Sequence, residues 1–225
     1  IGSLEKNRNI EQAKIAGARV KFKPLDGLEI DLVRTAQFGG KGRSESFKTL
    51  FGLILGQSDM GDEANQLAGL GVSYEVLRGK VPVKIYGQMI GEDEAGYLPS
   101  CFMHLAGFEI SSTISSIPSK FSIEGLDTVI SKTKNGWCGP GTAYNNYNYA
   151  SGYTHHGKTM GASIDTASRS LNISAEHKFS KHDLLWSISK ININVPSLSS
   201  HRLSSKSVSG YDFSVGTKFD LASLE

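Results

Sequence analysis

A period of two that returns along the whole length constrains this chain more than any other feature. Ala18, Val20 and Phe22 alternate with Arg19, Lys21 and Lys23, and Leu28, Ile30 and Leu32 with Glu29 and Asp31. Val72, Tyr74 and Val76 alternate with Ser73 and Glu75, and Val81, Val83 and Ile85 with Lys84 and Tyr86. The same rhythm returns in Leu171-Ile173-Ala175 and Tyr211-Phe213-Val215. Successive residues of an extended chain point to opposite sides, so each stretch reads as a strand with one oily and one polar face. Helical spacing is scarce. Its best instance is Glu45–Leu55, a short helix or irregular loop with Phe47, Leu50, Phe51 and Ile54 on one face.

The connections add a second rhythm. Pro24-Leu25-Asp26-Gly27, Gly79, Ala150-Ser151-Gly152 and Ser180 to Asp183 carry tight-turn residues, whereas Phe38–Gly71, Ile90–Ser100, Ser131–Ala143, Gly161–Arg169 and Val195–Ser209 are long. Short turns at one end and long loops at the other are the habit of outer-membrane β-barrels. About eleven strands, near the roughly 9–11 residues that a tilted spanning strand needs, can be counted if Tyr144–Tyr149 is included. A soluble β-sandwich would also show period two, and only the loop rhythm argues against it. The fold expected is therefore all-β, an antiparallel outer-membrane barrel forming one domain over residues 1–225, with 38–71 as a long extracellular loop or plug segment. The first strand (Ala16–Lys23) and the last (Gly210–Leu221) both run toward the short-turn side. A barrel with an even strand count then requires at least one further strand upstream, so the chain reads as the C-terminal part of a larger barrel.

Composition sets limits. A net charge of +2, with basic residues scattered among acids, gives no footprint for nucleic acid. No apolar run is long enough for a transmembrane helix. The first residues, without Met, read as a mature form or a fragment. The polar parity (Arg19, Lys21, Glu29, Asp31, Lys84, Gln88, Glu176, Lys178, Asp212 and Lys218) would line the lumen. Its mixed signs favour a plugged or salt-bridged interior over a one-sign filter. On this topology Cys101 and Cys138 both fall at the long-loop end, where they can form a disulfide or remain free thiols.

Motifs for chemistry are weak. Glu92, Asp93 and Glu94 follow a strand directly, and adjacent carboxylates on an extended chain cannot converge on one metal. A calcium loop needs more widely spaced oxygens. Phe38-Gly39-Gly40-Lys41-Gly42-Arg43 fits neither phosphate-binding pattern. His155 and His156 are adjacent and cannot chelate together, and no nucleophile elbow is present. Tyr144-Asn145-Asn146-Tyr147-Asn148-Tyr149 offers aromatic faces and amides suited to sugars, or else an aromatic girdle at the membrane boundary. Arg34 falls on the oily parity of its strand, which requires a bulge or the membrane interface there.

LEIDLVRTAQFGGKGR, NQLAG, PVKIYGQMIGEDEAGYLPS, LAGFE and YNNYNYASGYTHHGKTMGAS occur in that order. Together they resemble the capsule-assembly Wzi family. The resemblance implies an outer-membrane barrel of about 18 strands in a Gram-negative bacterium. It implies a non-enzymatic lectin without cofactor or metal that binds capsular or related surface polysaccharide and helps anchor it at the cell surface, with outer-membrane lipid as its surroundings and a monomeric barrel as its form. Arg34, Gln88, Glu92, Asp93, Glu94, Asn145, Tyr147 and Tyr153 are the candidate polysaccharide contacts. The acidic run would also pin the loops by pairing with Arg34 or Arg43. A porin-type channel for small solutes is the alternative, and a barrel hydrolase with an essential Ser or His is a third. The family's terminal aromatic is absent from Ser223-Leu224-Glu225.

Overall fold

A computed structural model describes residues 1–54, 64–78, 81–95, 98–134 and 136–219. Its strands are β1 (Gly2–Ser3), β2 (Lys14–Leu25), β3 (Leu28–Phe38), β4 (Asn65–Arg78), β5 (Val81–Ala95), β6 (Leu98–Ile114), β7 (Ile117–Asp127), β8 (Thr154–His155), β9 (Lys158–Thr159), β10 (Arg169–Lys178), β11 (His182–Ile193) and β12 (Val208–Phe219), with one helix, α1 (Phe47–Ile54). All but β8 and β9 form one ten-stranded antiparallel sheet in chain order, an up-and-down meander. Most of its short turns close at one end, while β5 and β6 are joined closely at the other. Gly27 takes φ 78° between β2 and β3, and Ser115 and Ser116 both take positive φ between β6 and β7, the geometry that matches the twist of a two-residue hairpin.

The register sorts the two faces. One cross-strand row reads Leu28–Tyr74–Ile85–Phe108–Ile123–Ile173–Ile188–Phe213, apolar from β3 to β12. A neighbouring row on the other face reads Glu75–Lys84–Glu109–Ser122–Ser174–Ser187–Ser214. The apolar face is largely exposed, as Ile85, Phe108, Ile123, Ile173 and Phe213 show. The polar face is laced by Arg19–Asp31 and Lys120–Glu109 ion pairs at 2.9 Å and by Ser122–Ser174 and Ser187–Ser214 hydroxyl contacts at 2.6 and 2.8 Å. Tyr86 lies across Gly107 of the next strand and donates to Glu124 Oε2 on the strand beyond, at 2.8 Å. A Cβ on Gly107 would come within 2.2 Å of that ring, so only glycine leaves room.

Toward the short-turn end, the apolar face carries an aromatic girdle. Trp186 Nε1 donates to His177 Nε2 at 3.1 Å, Phe121 meets His177 edge-on, and Phe179 stacks on His182. Among the described residues the sheet's two ends do not meet. β2 is paired on its outer side only at Ile15 and Lys14, and both faces of β12 are exposed.

Several sequence expectations change. Tyr144–Tyr149 is no strand; it lies in turns of a long loop. Ile90–Ser100 is no long connection, because β5 runs to Ala95 and β6 starts at Leu98. The segment 38–71 is shorter as a loop, since β4 begins at Asn65, and residues 55–63 of it lie outside the described part. Helix α1 does form, started by Ser46, whose Oγ accepts the Thr49 N–H at 3.1 Å. It buries Leu50 and Leu53 against Ala16, Ala36 and Phe38. Phe47 and Phe51, expected to share one face with Leu50, are instead 87% and 62% exposed while Leu50 is buried.

Candidate functional site: a loop folded against the inner wall

Residues 128–168, between β7 and β10, fold back against the polar face at its long-loop end. The loop's base is clasped. Thr128 N–H donates to Ser168 O at 2.9 Å, and Thr128 Oγ1 donates to Asp165 O and accepts the Ser168 N–H. Near its tip a Cys101–Cys138 disulfide ties it to β6. Between these points Tyr144, Tyr153, Ile130 and Ala143 pack on Leu67, Met103 and Cys101 of the wall. Tyr153 is 1% exposed, and its hydroxyl donates to Asn65 O at 2.9 Å and contacts Thr35 Oγ1. Burial raises the Tyr153 and Tyr144 phenols above their ordinary range, and the nearby Glu92 carboxylate adds to this.

Two other segments brace the loop. Arg8, its side chain 1% exposed, donates to the Gly152 and Thr154 carbonyls and to Glu5. Desolvation opposes ionisation of Glu5, yet hydrogen bonds from backbone, His155 and Arg8 hold its carboxyl down at about 2. From residues 194–207, Arg202 bridges Asp165 and Asn145, and His201 Nε2 donates to Thr166 O at 2.9 Å. Burial would raise the Asp165 carboxyl; Arg202 outweighs it and holds it below the usual carboxylate range. The strand β3 is thus covered on both sides: the loop contacts Thr35, while α1 lies on Ala36 and Phe38.

The candidate contacts do not converge on one surface. Tyr147 is 77% exposed on the loop, and Asn145, half-buried, donates to Gly141 O and receives Arg202. Gln88 lines an inner-wall cavity of about 370 Å³ with Tyr144, Leu126 and Met160. Glu92 is only 6% exposed beneath the loop, so it is not a wet loop tip. Asp93 and Glu94 pair with Ser100 and Pro99 in the β5–β6 ladder, and their side chains lie outside the described part. Tyr153 is sealed in the core. Arg34 lies on the outward face, where Nε donates to Leu53 O at 2.6 Å and a second nitrogen to Gln66 Oε1. Helix α1, rather than a bulge, explains its place on the oily parity. Arg43 stacks over Tyr149 at 4.7 Å. Trp137, exposed beside Cys138, went unnoticed in sequence because a lone Trp in a loop carries no periodic signal.

The disulfide closes a 37-residue separation, worth about 4 kcal/mol in the chain-entropy account. Cys138→Ser is therefore expected to make 131–150 sensitive to protease while the wall strands stay resistant, as peptide mapping would show.

The family model for the capsule assembly protein Wzi matches residues 1–190. The chain belongs to the capsule assembly Wzi family. It is 43% identical over 105 residues to an uncharacterised 55.8 kDa protein of the cps region of Klebsiella pneumoniae, covering 44% of this chain and 21% of that one. It is also similar to the solved structure of Wzi, an outer membrane protein involved in group 1 capsule assembly in Escherichia coli and a carbohydrate-binding β-barrel. There the TM-score is 0.73 at 24% identity, over 96% of this chain and 50% of that one. The chain thus spans half the length of the solved barrel and a fifth of the curated relative. The Wzi family and the outward apolar band together place it in the outer membrane.

Proposed function

We propose that this Wzi-family chain is part of a non-enzymatic outer-membrane lectin that binds capsular or related surface polysaccharide and holds it at the cell surface. The single observation that carries this reading is the braced loop 128–168. A disulfide, buried tyrosines and two arginine clamps fix its frame, while Trp137 and Tyr147 stay exposed on it. Aromatic faces held on a rigid base bind sugar C–H faces without a large ordering cost. Loop and ion-paired wall both oppose the alternative of an open porin, which would present one sign of charge at a constriction.

Among the described residues, the chemistry of the Ser119–His177 contact also supports a non-catalytic role. The Trp186 N–H can only donate, so His177 Nε2 accepts and its neutral ring carries the proton on Nδ1, which faces Ser119 Oγ at 2.9 Å. Ser119 in turn donates to Ile117 O at 3.2 Å, so His177 is not placed as its base. In lipid the open edges of β2 and β12 need cover; further strands, as in the longer solved barrel, are the proposed cover.

Trp137→Ala with Tyr147→Ala is expected to weaken binding of capsular polysaccharide by about tenfold or more, at roughly 1 kcal/mol per lost aromatic contact. Glycan binding by the purified protein measures it. Unchanged affinity in the double variant would remove the loop from the binding surface.

A further inference from the structure

We propose that the outward wall beneath helix α1 is a binding site for one outer-leaflet lipid, with an acyl chain in a groove of the sheet and Phe47 and Phe51 seated at the head-group boundary. The groove has a volume of about 570 Å³ and is lined by Ala18, Val20, Leu32, Leu70, Met89 and Phe102. Its origin is in the register. The row Ala18–Arg34–Ala68–Gly91–Phe102 puts two methyls and a bare glycine where the row directly beneath carries Val20, Leu70 and Met89, so the wall is dented there.

Helix α1 lies beside the dent on the same face. Arg34, in the dented row, donates to the Leu53 carbonyl of its last turn, and Leu50 and Leu53 pack on Ala16, Ala36 and Phe38 in the rows above. This leaves Phe47 and Phe51, one helical turn apart, exposed on the other side of the helix. Two exposed rings on a short amphipathic helix suit a helix lying in a membrane interface.

The groove's position names its occupant. It continues the lipid-facing apolar band upward, and its own lower row, Val20–Leu32–Leu70–Met89, turns polar farther along the sheet at His104, Asp127, Arg169 and Asn192. The long-loop end is the outer side of such a barrel, so this boundary belongs to the outer leaflet. The lining residues other than Arg34 are apolar or glycine, so the groove suits a hydrocarbon chain and gives a saccharide little to hydrogen-bond.

The test uses the protein reconstituted in phospholipid bilayers, with spin labels on Phe47→Cys and Phe51→Cys; the two native cysteines are tied to each other. Both labels are expected to relax with oxygen, as an Ile173→Cys label in the lipid-facing band should. Relaxation dominated by a water-soluble nickel chelate, as expected at Tyr147→Cys, would overturn the site. In parallel, native mass spectrometry of detergent-purified protein with added phosphatidylethanolamine should show one retained lipid. Ala68→Trp, or the milder Ala68→Leu, should cut retention about tenfold by removing room for roughly two methylenes, with heat-modifiable gel mobility confirming an intact barrel. Equal retention in wild type and filled-groove variants, or a second copy of the protein in place of lipid, would also overturn it.

Discussion

Arg202→Met is expected to loosen the long-loop end by about 3 kcal/mol at neutral pH, because it strands the Asp165 carboxylate in a nearly buried site. The figure sits at the low end of what breaking a buried pair costs, since Arg202 itself is about a quarter exposed. Hydrogen exchange at 163–168 and 198–204 should read it as a roughly hundredfold loss of protection. The second variant Asp165→Asn, combined with Arg202→Met, should recover much of the loss by removing the stranded charge. The sign with pH follows from the depressed carboxyl. Its contribution is fully present above its unfolded value of 3.8 and fades as pH falls through the lower folded value. The penalty of Arg202→Met should therefore shrink in acid. A penalty unchanged by acid would point to lost packing rather than lost charge.

Gly107→Leu should damage the wall itself. Tyr86 reaches Glu124 only by lying over Gly107, and a side chain there would start 2.2 Å from the ring. Displacing Tyr86 breaks its bond and overpacks the inner face, a cost of about 3 kcal/mol. Less heat-modifiable barrel on a gel is the readout. Tyr86→Ala should partly rescue Gly107→Leu by opening the space, whereas on its own it should cost the hydrogen bond and the ring's contacts with Gly107 and Lys84. Additive damage in the double variant would contradict a steric origin.

The wall was legible because its information is local. Alternation at Leu28–Leu32, Val72–Val76 and Leu171–Ala175 directly sets the rows that cross the sheet. The directions of β2 and β12 were legible for the same reason, from the order of short and long connections. The loop was not, because its order is non-local. Tyr144, Tyr149 and Tyr153 look like strand or girdle residues until Leu67, Gly39 and Asn65, far away in sequence, are brought beneath them. Arg34 broke the alternation for a similar reason, because its partner is a helix carbonyl from a segment whose shared apolar face the fold divides, burying Leu50 and leaving Phe47 and Phe51 exposed. The acidic run Glu92-Asp93-Glu94 was misplaced at a loop because charge outweighed the continuing ladder, which reaches Ala95. The family likeness indicated the architecture but left the individual contacts to these long-range pairings.

Everything rests on alternate residues of one strand meeting lipid and the lumen in turn. Single spin labels at residues 171 through 176 of β10, in the protein reconstituted in bilayers, test this most directly. Oxygen accessibility should peak at Leu171 and Ile173, with Asn172, Ser174 and Glu176 reporting the polar side; Ala175, buried between Trp186 and Phe121, should read lower than Leu171 and Ile173. A flat profile, or one in which Leu171 and Ile173 are shielded from lipid, would contradict a membrane-spanning wall.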